Sequence, residues 1–284
     1  IVAGNSAGNL SGVVNGSNNL TSGSPLLAPL GDYGGPTQTM PPLPGSPAIN
    51  AGINSVTNFL ATDQRGFARV VGNTVDIGAV ESGNAIPGVD FTVVTTTNDS
   101  LGDLNSVSLR AATAFAPANS TFSFTNTLDG QTILLTNGLI VVDRNLTIDA
   151  SGLAGGIIID GNANGRIFEF VSGTSVLESL TLTNGLTGGI DGGAIYVNFP
   201  ANLTLKNSTL SGNSTDDGGG SFGDGGGIYN LGTVTLNSST LSGNLCDRGG
   251  GIYNLGTLAL NNVTFSGNFS FQACGFAGGF CLID

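Results

Sequence analysis

The chain contains no histidine and no tryptophan. Without histidine it lacks the side chain most often used for proton transfer near neutral pH and for metal ligation. A polygalacturonase-like site, which sets a histidine among carboxylates, is therefore excluded. Charge is also scarce, at 9% of 284 residues, and basic charge is the scarcest: Lys206 and six arginines stand against 19 acids, for a net charge of −12. A nucleic-acid partner would require a basic footprint that this chain does not have. An anionic membrane surface is disfavoured on the same ground. No run of eighteen apolar residues occurs, so no membrane-inserting helix is expected.

Cysteine is limited to Cys246, Cys274 and Cys281, all within the last forty residues. No C-x-x-C pair and no histidine accompanies them, which leaves no zinc ligand set. An odd count allows at most one internal disulfide. Cys246–Cys274 and Cys274–Cys281 stand as alternatives in an oxidising space. The chain opens on Ile-Val-Ala-Gly-Asn without an initiator methionine or a basic, signal-like start, and reads as a mature fragment or as one piece of a longer protein.

What the sequence does have is glycine, 47 residues, set among short apolar bursts separated by Asn, Ser and Thr. That pattern predicts many short strands and tight turns rather than helices. A repeat organises them. "GGAIYVN", "GGGIYNLG" and again "GGGIYNLG" place Tyr196, Tyr229 and Tyr253 in one slot. "LTLKNSTLSGN", "VTLNSSTLSGN" and "LALNNVTFSGN" end on Asn213, Asn244 and Asn268. The shortest interval is 24 residues, and the longer one holds a glycine-rich insertion, "STDDGGGSFGDGG". Each unit carries three β bursts. The expected fold is all-β: a right-handed parallel β-helix solenoid with about 24 residues and three strands per rung.

Stacked rungs make equivalent residues neighbours. The reading predicts inward ladders of Ile195, Ile228 and Ile252, of Leu203, Val234 and Leu258, and of Leu210, Leu241 and Phe265. Tyr196, Tyr229 and Tyr253 form an aromatic ladder beside the first. Asn213, Asn244 and Asn268 recur at a corner, where asparagine tolerates left-handed backbone and can stack its amides. Weaker rungs extend back to about Phe122. About seven rungs are expected, a rod of about 35 Å at the sheet spacing. Ser108 to Ala116, "SLRAATAFA", is the one helix-like segment, and burying Leu109 and Phe115 would let it cap the rod.

Eight of the ten prolines fall in residues 24–87. Proline fits poorly inside a sheet, so this stretch is expected to be an irregular wrap. Asp63, Arg65, Arg69 and Asp76 would fix it by local ion pairs. The expected organisation is partial rungs in 1–23, a Pro/Gly-rich closing segment in 24–87, a short capping element in 88–121, and rungs in 122–284.

Pro29 to Glu81, "PLGDYGGPTQTMPPLPGSPAINAG…TDQRGFARVVGNTVDIGAVE", resembles the closing segment of bacterial β-helix proteins of the choice-of-anchor type. Phe91 to Ala112 resembles their N-terminal element, often termed CSLREA-type, although no cysteine precedes Ser108 and no glutamate follows Arg110. The rungs are similar to those proteins and to polymorphic outer-membrane adhesins. In that family the closing segment comes last; here it comes first. The resemblance implies a large secreted or surface-anchored bacterial protein of adhesive or structural character, and it carries no catalytic residues.

The sequence thus points to a non-enzymatic extracellular structural or adhesive β-helix. It would be a building block of a cell-surface filament or of a giant tandem-repeat protein. "GGFCLID" looks like the start of a rung, with Cys281 in the tyrosine slot, and "IVAGN" like the end of one. Copies would then stack end to end. The alternative is a β-helix that binds or acts on polysaccharide, with surface glycans as partners. No cofactor is expected. Asp216, Asp217 and Asp224, hard oxygen ligands on flexible glycine-rich backbone, are the one calcium candidate.

Overall fold

A computed structural model describes residues 19–20, 24–84, 89–101, 106–218, 223–272 and, for the backbone alone, 280–282. By contact density the chain divides into two units. The first comprises residues 1–90, 101–105 and 114–117; the second comprises 91–100, 106–113 and 118–284.

The second unit is a parallel β-solenoid of about six turns. Sheet one orders the strands Val93–Val94, Ser120–Phe124, Leu146–Asp149, Thr174–Glu178, Asn202–Lys206, Thr233–Asn237 and Thr257–Asn261. Sheet two orders Ile140–Val142, Phe168–Phe170, Ile195–Val197, Ile228–Asn230, Ile252–Asn254 and Phe280–Leu282. Sheet three orders Thr132–Leu134, Ile157–Asp160, Leu180–Thr183, Thr209–Ser211, Thr240–Ser242 and Thr264–Ser266. Ile140 pairs with Phe168, Phe168 with Ile195, Ile195 with Ile228, and Ile228 with Ile252, at intervals of 28, 27, 33 and 24 residues. The turn is therefore about 28 residues, not 24. The short period recurs only locally, as the 24-residue last turn and the 23-residue step from Ile157 to Leu180, and longer loops lengthen the other turns.

Each strand alternates an inward apolar residue with an outward one, as the two-residue pleat requires. Ile195 sits on Ile228 and Ile228 on Ile252. Leu203 sits on Val234 and then Leu258, and Leu210 on Leu241 and then Phe265. The inner members of these ladders are fully buried, and each contributes about 1.5–3 kcal/mol by leaving water. Glycine permits the tight approach of adjacent turns. A Cβ on Gly227 would lie 2.5 Å from the Gly251 carbonyl oxygen.

Two local features differ from the sequence reading. Asn213, Asn244 and Asn268 do not occupy left-handed backbone. The glycine before each does, Gly212, Gly243 and Gly267 having φ of 61 to 64°. That frees each asparagine side chain to hydrogen bond inward. The second difference is at the end of sheet two. Phe280–Leu282 pairs antiparallel with Ile252–Asn254, so Cys281 lies opposite Tyr253 on a strand running the other way. It is a return strand and not the start of a further parallel rung. The first residues, Ile1 to Asn5, which the stacking argument also used, lie outside the described residues, as do most of 1–23.

A helix, α1 (Leu109–Phe115), forms where the sequence predicted one, with Leu109 and Phe115 buried. Ser108 Oγ accepts the Ala111 N–H at 3.0 Å, as an N-cap does. Within the second unit, Arg110 reaches from this helix to Asp99. Its Nε and Nη2 donate to the two carboxylate oxygens at 2.6 and 3.0 Å, and its Nη1 and Nη2 donate to the carbonyls of Leu139 and Gly138. Asp99 also accepts the N–H groups of Thr136 and Asn137, both at 2.8 Å.

The first unit is irregular, as its prolines dictate. Its ordered elements are a 3-10 turn, Asn54–Asn58, and the bridges Leu27–Pro42, Gly31–Thr39 and Thr62–Ala68. A buried ionic network replaces sheet pairing. Asp63 accepts from the Arg65 backbone and guanidinium and from the N–H groups of Phe67 and Glu81. Asp76 accepts from Asn50 and Ser82, and Glu81 from Val71 and Asp76. Arg69 donates to the carbonyls of Gly78 and Asp76 and not to a carboxylate. Burial raises the Glu81 carboxyl above its usual range despite these N–H donors.

Candidate functional site

The outward column of sheet two is the most distinctive surface. Strand register places Val141, Glu169, Tyr196, Tyr229 and Tyr253 on successive turns. Tyr196 and Tyr229 stack at 5.0 Å between centroids, and Tyr229 and Tyr253 at 5.4 Å, with interplanar angles of 15 and 16°. Tyr229 therefore has a ring on both faces. Arg166, from the turn on the far side of Tyr196, places its guanidinium 4.7 Å from that ring's centroid. Arg248 lies 5.1 Å from the centroid of Tyr253. These rings contact each other and two cations, so a sugar ring has no free face of Tyr196 or Tyr229 to stack on.

The acids beside the ladder are engaged as well. Glu169 bonds Arg166 at 3.2 Å and Asn198 at 3.0 Å. Asp191, Asp224 and Arg248 each precede a ladder tyrosine by five residues. Asp191 accepts the Asp224 N–H at 2.9 Å, and Arg248 grips Asp224 through Nε at 3.0 Å and Nη2 at 2.6 Å. The third turn thus substitutes a cation for the aspartate of the two before it and neutralises its neighbour. Burial still leaves the Asp224 carboxyl raised, with Arg248 opposing.

Two of the three residues of the calcium candidate are engaged within the protein. Asp224 is committed to Arg248, and Asp216 folds its Oδ1 onto the Gly218 N–H at 2.7 Å. Among the described residues no three acidic, cysteine or histidine side chains gather as a metal site. The disulfide expectation changes too. Cys246 is a buried free thiol that donates to the Arg248 carbonyl, and burial pushes it up to about 11. Cys274 and the side chain of Cys281 lie outside the described residues.

The asparagine ladder is the second feature of the site. Asn213 Nδ2 donates to Asn244 Oδ1 at 3.0 Å, and Asn244 Nδ2 donates to Asn268 Oδ1 at 2.8 Å. The same oxygens accept the backbone N–H groups of Asn213 and Asn244. Each Nδ2 also donates to a leucine carbonyl: Leu182, Leu210 and Leu241 in turn.

Tyr229 is pushed up to about 12 from 10.0, chiefly by burial and then by Asp191 and its stacked neighbours. A raised folded-state value means that the native state holds its proton after the unfolded chain has lost it. Stability from this group is complete below pH 10.0 and is lost as pH rises toward about 12. Base titration followed by tyrosinate absorbance should show a late-ionising fraction. Burial raises Tyr33 and Tyr196 as well, so Tyr229→Phe should reduce that fraction and flatten part of the alkaline decline in stability; an unchanged titration curve would contradict the stacked geometry.

The fold and these ladders define the class: a parallel β-solenoid with uninterrupted side-chain stacks. Compared with protein-family models, curated proteins and solved structures, the chain gives no match. No helix among the described residues is long and apolar enough to cross a membrane.

Proposed function

We propose that this chain is a non-enzymatic structural and adhesive unit of an extracellular bacterial surface fibre or tandem-repeat protein, its solenoid continued end to end by further turns. The observation that carries this reading is the open last turn. Leu260 is 38% exposed, whereas Leu205 and Leu236, which precede it in the same column, are fully buried. Leu258 and Phe265 are half-exposed at the ends of two ladders otherwise closed to water. The strands Thr257–Asn261 and Thr264–Ser266 end sheets one and three and carry neither charge nor proline, the residues that normally keep an edge from pairing. A further turn of like composition matches those edges. The return strand flanks sheet two alone, so continuation would use sheets one and three.

The engaged carboxylates beside the tyrosines support the non-enzymatic reading, and the enclosed ring faces weigh against the polysaccharide alternative. The test is sedimentation velocity over rising concentration, with electron microscopy of the same samples. Concentration-dependent end-to-end particles are expected, and Leu260→Lys should return them to single chains. Single chains at every concentration would defeat the stacking of separate copies.

A further inference from the structure

The chain has four asparagines followed directly by glycine. Asn15–Gly16 lies outside the described residues; Asn137–Gly138, Asn164–Gly165 and Asn184–Gly185 lie within them. Such a pair is chemically labile. The glycine nitrogen, with no Cβ beside it to block the approach, can reach the asparagine Cγ and displace the side-chain amide. Folding suppresses the reaction where it holds that amide or the glycine nitrogen, and where the backbone has no room to turn.

Asn184 is held on both counts. Its Nδ2 donates to Asp160 Oδ2 at 2.8 Å, and the Gly185 N–H donates to Asn213 Oδ1 at 2.9 Å, in the buried asparagine ladder. Gly185 is also packed against the Gly193 carbonyl. Asn137 is exposed but pinned. Its N–H donates to Asp99 Oδ2 at 2.8 Å, and its Nδ2 donates to the Asp99 carbonyl.

Asn164 differs from both. It is exposed, on the turn between the strands Ile157–Asp160 and Phe168–Phe170, and no hydrogen bond holds its side chain. Gly165 is held through its carbonyl oxygen, which accepts the Leu186 N–H at 3.0 Å, and not through its nitrogen. A Cβ on Gly165 would meet nothing within 4 Å, so the backbone has room to turn.

We propose that Asn164 is a site of spontaneous covalent modification. Solvent hydroxide takes the Gly165 amide proton, the nitrogen bonds to Asn164 Cγ, and Nδ2 leaves as ammonia. Water then opens the succinimide at either carbonyl, to aspartate or isoaspartate. Asparagine and water thus give a carboxylic acid and ammonia. Either product places a new carboxylate two residues before Arg166, and the isoaspartyl form also lengthens the backbone of this turn. The site is independent of the open last turn and stands or falls separately from it.

The full chain, incubated in mildly alkaline buffer and sampled over time for peptide mapping by mass spectrometry, tests the proposal. Acid should accumulate at residue 164 about tenfold faster than at 137 or 184, the factor that one net hydrogen bond on the reacting groups imposes. In urea, where no turn is held, the three rates should converge. Asn164→Gln, whose longer side chain disfavours the ring closure, should abolish conversion at 164 and leave the slow rates at the other two sites unchanged. A rate at 164 no greater than at 137 or 184 in the folded chain would overturn the proposal. So would a ranking that persists in urea, which would show that the fold does not select the site.

Discussion

Replacing Asn244 with alanine should destabilise the solenoid by about 3–5 kcal/mol, among the largest effects available from one side chain. Asn244 is completely buried. Its Oδ1 accepts from the backbone and side chain of Asn213, and its Nδ2 donates to Asn268 and to Leu210. Truncation strands partners on the turn before and the turn after at once, and water cannot reach them. Asn244→Asp isolates the role of the amide donor. The carboxylate could still accept from Asn213, but it would face Asn268 Oδ1 and the Leu210 carbonyl, acceptor against acceptor, with a buried charge besides. The aspartate variant should therefore be at least as unstable as the alanine variant, despite being closer in shape. Urea unfolding followed by far-UV circular dichroism measures both. A loss below about 1 kcal/mol for alanine would mean that the ladder is only decorative.

The second large effect is expected at Asp99. Asp99→Ala leaves the Arg110 guanidinium in place, its side chain 11% exposed, and deprives the Thr136 and Asn137 N–H groups of their acceptor. An uncompensated buried cation makes the loss about 3–5 kcal/mol. Removing both charges separates this from a simple loss of contacts. Arg110→Met with Asp99→Ala should recover part of the deficit, because the stranded charge has gone while the aliphatic stem still packs. A double variant no better than Asp99→Ala would show that backbone support of residues 136–137, and not charge pairing, is what Asp99 supplies.

The two sites differ in how plainly the sequence announces them. Asn213, Asn244 and Asn268 are visible because a solenoid residue must stack on its own image, and identity at a fixed interval records that constraint. The same logic made the isoleucine and tyrosine slots readable. Asp99 and Arg110 have no images. They are unique residues from the first turns, and Thr136 and Asn137 are 37 and 38 residues away from Asp99, so no periodicity flags them. The turn length was underestimated because the clearest copies were also the shortest, and longer loops blur the repeat in the preceding turns. The direction of Phe280–Leu282 was hidden for another reason. Alternation marks which side of a strand is apolar but is the same read forwards or backwards. The backbone role given to the asparagines went to the preceding glycines, since a left-handed corner needs only one residue without a Cβ.

The 33-residue interval between Ile195 and Ile228 has a consequence for how such a chain can change over generations. Its extra residues leave the stacked columns above and below in register. A duplicated or deleted turn would likewise present each column with the residue it already expects. Length is therefore open to selection in whole-turn steps by unequal recombination, with no redesign of the interior. A point change inside a column is felt mainly by the two turns next to it. The ends are the exception, because each requires a closing element that no internal turn can supply.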